Sequence, residues 1–138
     1  YLLNELGFLY SSSMRGDDVP YYTVLDGKET DLVEIPSKWE LDDYVAQAYS
    51  VYPAEPAGLD RISCYRNVQD NDIREFRGYY DMGLCIAFLM HPQISGAPGR
   101  NLVLEEVLKE VTSHKDVWVA TGSEVAEYWR KAHPRKED

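Results

Sequence analysis

Cysteine is scarce in this 138-residue chain: Cys64 and Cys85 are the two it has, too few for a disulfide framework. Cys85 lies inside an apolar run, where a thiol acts as a small hydrophobe. Such usage suits a reducing compartment, and a cytoplasmic location is expected. Histidine is nearly as scarce. The three, at positions 91, 114 and 133, form no His-x-x-x-His pair, and the cysteines form no Cys-x-x-Cys, so no metal-ligating spacing is present in the chain. Basic residues are outnumbered, 14 Lys and Arg against 24 Asp and Glu for a net charge of −10. That balance argues against a nucleic-acid partner, whose binding draws on clustered cations. The one basic cluster, Arg130, Lys131, Arg135 and Lys136, reads as a solvated helix end and terminus. No apolar run approaches the ~20 residues that cross a bilayer, and no membrane partner is expected. No secretory signal is visible either, although the chain begins at Tyr1 and not at a methionine.

What is present suits one domain. Apolar residues make up 44% and charged residues 28%, and a chain of this length can bury roughly two-thirds of its unfolded surface. The opening "YLLNELGF" reads as the last turns of a helix stopping at Gly7, with no capping residue before it, so the chain is expected to start inside a larger fold. "FLYSSSM" reads as a strand, "RGDDVP" as a turn, and "YYTVLD" and "TDLVEIP" as a hairpin pair about Gly27 and Lys28. After Trp39, "ELDDYVAQAYSVY" suits a short helix and "PAEPAGLDR" a surface loop. A helix follows over "NVQDNDIREFRGYYDM", with Val68, Ile73, Phe76 and Tyr80 as its apolar side and Gly83 as its stop. Leu104, Val107, Leu108 and Val111 fall at i, i+3, i+4 and i+7 and predict an amphipathic helix. "VWVA", residues 117–120, reads as a strand, and Thr121 with Glu124 makes a capping-box pattern opening a last helix through Trp129. The last third is thus strand, loop, helix, strand, helix, the repeat of βα units in a parallel sheet or barrel.

The chemistry concentrates in "CIAFLMHPQISGAPGR", Cys85 to Arg100. Six unbroken apolar residues suit a strand buried on both faces. His91 follows at its carboxyl end, where α/β folds place catalytic side chains, and a turn with two prolines and two glycines comes directly after it. The adjacent pairs Asp17–Asp18 and Asp42–Asp43 are open to two readings, turn formers or ligands. His114 sits at a helix end where it favours the helix dipole, and His133 lies in the tail.

"FLMHPQISGAPGR", with "LVEIPSKWELDD" and "GFLYSSSMRGDDVPYY" before it and "LKEVTSHKDVWVATGSEVAEYW" after it, resembles the carboxyl-terminal half of the polysaccharide deacetylase family, carbohydrate esterase family 4. The likeness is greatest to the branch with peptidoglycan deacetylase-like proteins and cyclic imide and allantoin hydrolases. It runs over nearly all of residues 1–132, with four segments in the same order and spacing.

The resemblance implies an α/β fold, the carboxyl-terminal half of a distorted (β/α) barrel, with the whole chain forming part of a single catalytic domain. It implies hydrolysis of non-peptide carbon–nitrogen bonds assisted by a divalent metal, commonly zinc, which an aspartate and two histidines hold. Those ligands and the catalytic base come from the family's amino-terminal half and have no counterpart here, so the chain alone is expected to be inactive. Leu89, Met90 and His91 match the family's Leu-x-His segment, whose histidine gives a proton to the departing amine. Trp39 and the "ELDD" segment with Asp42, together with Tyr10 and Ser11 to Ser13, match positions lining the substrate groove; many relatives carry aspartate where Ser11 stands. The implied partners are the missing amino-terminal half or a second copy, and an N-acetylated polysaccharide or a cyclic amide as substrate. A non-catalytic alternative is a truncated relative that binds sugar rings or an assembly partner through Trp39, Tyr21, Tyr22 and Tyr44.

Overall fold

A computed structural model describes residues 1–48 and 63–135. The expected loop "PAEPAGLDR" and the end of "ELDDYVAQAYSVY" lie outside the described residues. Two compact units emerge: residues 1–37, 83–87 and 118–138 form one, and residues 38–82 and 88–117 the other.

The first unit is built on a three-stranded sheet of order β1-β3-β2, with β1 at Tyr10–Ser11, β2 at Tyr21–Leu25 and β3 at Lys28–Glu34. β2 and β3 are an antiparallel hairpin in which Leu25 pairs with Lys28. The turn residues are therefore Asp26 and Gly27, one position earlier than the sequence suggested. Their φ values of 51° and 80° are the two left-handed positions of the turn that matches strand twist. β1 runs parallel to β3, Tyr10 opposite Val33 and Ser11 opposite Glu34. The end of β3 and its extension do not alternate but bury Leu32, Val33, Glu34 and Ile35 in succession, and Ala126 of α6 (Gly122–Ala132) is also buried in this unit. α6 opens on the expected capping box: Thr121 Oγ1 accepts from Glu124 N while Glu124 Oε2 accepts from Thr121 N. Toward its end Arg130 donates to the Asp31 carbonyl, and Arg135 pairs with the Asp31 carboxylate at 2.7 Å. α1 (Leu2–Glu5) stops at Gly7, φ 73°, as expected.

The second unit is helical. α3 (Tyr65–Met82) ends at Gly83, φ 67°, and buries Val68, Asp72 and Phe76, one position every turn. It packs against α5 (Pro98–Ser113), joined by an Arg77–Glu110 ion pair of 2.8 Å. α5 buries Val107, as expected, and Val103, with Leu104 and Val111 half-buried, whereas Leu108, also expected inside, is half exposed. α2 (Asp43–Gln47) and α4 (Pro92–Ser95) are short and hold the site.

Two expected strands are not strands. Residues 84–90 carry a single bridge, Leu89 with Asp42, and the side chains of residues 84–88 are half-buried rather than enclosed on both faces. The reason lies in how the run is used: Cys85 bonds to Asp18 O in the first unit, whereas Leu89 bonds to Leu41 in the second, so no one neighbour pairs along it. Residues 117–120 also lack a ladder, and Trp118 and Val119 are exposed. The α/β character is that of a partial fold with a small open sheet. No helix among the described residues is long and apolar enough to cross a membrane.

Candidate active site: an aspartate holding a histidine

Two backbone hydrogen bonds create the site. Leu89 N donates to Leu41 O at 2.9 Å and Asp43 N donates to Leu89 O at 3.1 Å, which lays residues 41–43 beside residues 89–91. Asp43 and His91, 48 positions apart, are thereby neighbours. Asp43 is the first residue of α2, and Asp42 before it caps that helix by accepting from Tyr44 N at 2.8 Å. His91 has extended backbone immediately before α4, whose Pro92 occupies the first helical position.

The Asp43 side chain is 1% exposed, and both its oxygens are engaged. Oδ1 lies 2.6 Å from His91 Nδ1. Oδ2 accepts from the His91 main-chain N–H at 2.9 Å and from Ser95 Oγ at 2.5 Å. Burial pushes the Asp43 carboxyl up, but the hydrogen bonds from Ser95 and from the His91 backbone and ring outweigh it and hold the carboxyl below its ordinary range. With a carboxylate on Nδ1, that nitrogen donates its hydrogen to Asp43, which leaves Nε2 as the ring nitrogen not bonded to the carboxylate. The imidazole is 30% exposed and has the Tyr44 ring 5.5 Å away, tilted by 58°. An imidazole oriented from behind by a buried carboxylate and open in front is the arrangement of a general acid or base.

No family model matches the chain. It is 28% identical over 159 residues to the peptidoglycan deacetylase of Helicobacter pylori, covering 98% of this chain and 53% of that protein. A crystal structure of a protein from Mycobacterium smegmatis, provisionally named a polysaccharide deacetylase, matches with a TM-score of 0.80 and 36% identity over 99% of this chain and 47% of that one. The chain is polysaccharide deacetylase-like over nearly its whole length. An allantoinase structure shares the fold, with a TM-score of 0.78 at 22% identity. The chain spans about half the length of these relatives, and its fold is part of their barrel.

In this deacetylase-like chain the expected site residues fall into both units. His91 and Asp42 come together in the second, with Asp42 Oδ1 3.7 Å from His91 Nδ1. Trp39 opens the helical turn Trp39–Leu41 that delivers the aspartates and is 59% exposed. Tyr10 and Ser11 belong to the first unit, where they form β1; the Tyr10 ring lies so close to Gly122 that a Cβ there would clash with it. Asp43 emerges as the aspartate that binds the histidine, and Ser95 as a residue that sequence reasoning did not single out. Their contacts span 48 and 52 positions, so no local spacing signals them.

Asp42, Asp43 and His91 also offer ligand atoms within 4.8 Å of one another. Their bonding does not fit a resident cation. Both Asp43 oxygens already accept hydrogen bonds, Asp42 Oδ1 caps α2, and the imidazole nitrogen turned toward the carboxylates is the one bonded to Asp43. A metal there would have to displace the contacts that hold the site together.

Proposed function

We propose that this chain supplies the proton-donating part of a metal-dependent amide hydrolase, with His91 as general acid. The observation that carries the reading is the 2.6 Å contact between His91 Nδ1 and a fully buried Asp43. The carboxylate fixes the ring's orientation through Nδ1, and Nε2 delivers a proton to the nitrogen that leaves as the amide bond breaks. Ser95 and the His91 main-chain N–H hold the other carboxylate oxygen, so Asp43 does not rotate as the ring changes charge. Ligands outside this chain hold a divalent metal, zinc in the first instance, which when bound polarises the carbonyl and activates water. The remaining catalytic groups come from further polypeptide, either the rest of a longer chain or a second copy.

The names of the relatives suggest two substrate classes, the N-acetylated glycan of a peptidoglycan deacetylase and the cyclic amide of an allantoinase. We favour the glycan. The first unit has an open groove of about 440 Å³ whose wall includes Phe8, Tyr10, Ser11, Ser12, Ser13 and Ser123. Its hydroxyls and aromatic faces suit a neutral sugar better than a compact ureide.

In the complete protein, His91→Ala should lower turnover of an N-acetylated sugar oligomer by ~10²–10⁴-fold, with metal content unchanged. Loss of the metal together with activity would place His91 among the ligands and overturn the reading.

A further inference from the structure

Glu34 ends β3 and is fully buried, yet it has no part in the chemistry of His91. Its Oε1 accepts two successive main-chain N–H groups, Ser13 at 2.5 Å and Met14 at 2.7 Å. Its Oε2, also buried, has no hydrogen-bond partner among the described residues. The surrounding backbone explains the placement. The β1–β3 ladder ends as Ile35 N donates to Ser11 O at 2.8 Å, and the two segments next meet where Ser37 N donates to Met14 O at 3.1 Å. Between those points the Glu34 carboxylate replaces the ladder. Removing a shared acceptor leaves both donors without a partner. The neighbours of Glu34 in β3 and beyond, Leu32, Val33 and Ile35, are apolar and buried. A carboxylate with one idle oxygen in that company is costly unless the clamp is needed.

What the clamp holds is one wall of the open groove, since Ser11, Ser12 and Ser13 line it. We infer that Glu34 is a positioning residue that fixes the Ser11–Met14 segment in the shape that receives substrate, through the geometry of its acceptor oxygen and not through its charge. The inference rests on the reading of this groove as the sugar site.

Two variants of the complete protein separate the possibilities. Glu34→Gln keeps an oxygen at the clamp and removes the charge, whereas Glu34→Met fills similar volume and removes the acceptor. Amide exchange at Ser13 and Met14 should stay near wild type in the Gln variant and become at least about tenfold faster in the Met variant, while Val33 exchanges as before. KM for an N-acetylated sugar oligomer should rise about tenfold in the Met variant with kcat within about threefold, and both should hold within about twofold in the Gln variant. Unchanged exchange at Ser13 and Met14 in the Met variant overturns the clamp, whatever turnover does. A Gln variant as impaired as the Met variant makes charge the requirement and overturns the acceptor argument. A fall in kcat with KM unchanged removes the groove-wall role. If wild-type protein does not turn over the oligomer, the sugar reading fails while the exchange comparison still decides the clamp. Should Glu34→Met fail to fold, Glu34→Asp, which withdraws the oxygens by one methylene, carries the same exchange comparison with the same expected direction.

Discussion

Asp43 and Asp72 are two buried carboxyls of the second unit with opposite effects on stability. Asp43 is held low by its three hydrogen bonds despite burial. Its contribution is present above the unfolded carboxylate range and is lost as pH falls through the depressed value. Asp43→Asn can keep the shape but removes the carboxylate that holds the His91 ring by Nδ1. In the complete protein we expect turnover of an N-acetylated oligomer to fall by ~10²-fold or more with KM little changed, measured by steady-state kinetics. Asp72, on the buried face of α3, is pushed up to about 6, chiefly by burial and then by the charges of Asp43 and Glu75. A raised carboxyl binds more protons folded than unfolded, so its ionised form weakens the fold above about pH 6. Asp72→Asn should therefore stabilise the chain at pH 7.5 by on the order of 2 kcal/mol, with the gain closing as pH falls toward 4. Thermal melts at the two pH values test this; an Asn variant that is less stable at pH 7.5 would show that Asp72 has a partner it depends on.

Elements with a local chemical signature were legible in the sequence. The Thr121–Glu124 capping box forms as written, because both partners lie within one turn. The helix stops at Gly7 and Gly83 are where positive φ requires glycine. Thr121→Ala should cost about 1 kcal/mol, seen as a lower melting temperature. The strands read at 85–90 and 117–120 failed because an apolar run does not specify a pairing partner, and a ladder depends on a neighbour distant in sequence. The stripe of α5 was read rightly at Val107 but included Leu108 in place of Val103 for a related reason: both fit beside Val107 on the helical period, and only the packing partner α3 chooses between them. At the site, the end of the apolar run before Pro92 brought His91 forward, and the family likeness gave it a role and added Asp42. Asp43 was one of two adjacent aspartates, and it is the bridge between Leu89 and Asp42 that decides which one turns toward the ring.

At the scale of the whole molecule, the chain matches about half the length of its relatives while carrying a well-built histidine–aspartate pair. Purified alone with added zinc, it should show no turnover of N-acetylated sugars above a metal-only control, because a general acid without an activated water has no nucleophile to complete the reaction. Whether His91 protonates the departing nitrogen is decided by the leaving-group dependence of His91→Ala in the complete protein. An N-acetyl sugar leaves as a basic amine and needs that proton, whereas an activated anilide needs little. The account predicts a loss of ~10²–10⁴-fold on the sugar and a much smaller one on the anilide, at unchanged metal content. Equal losses on the two substrates would contradict it.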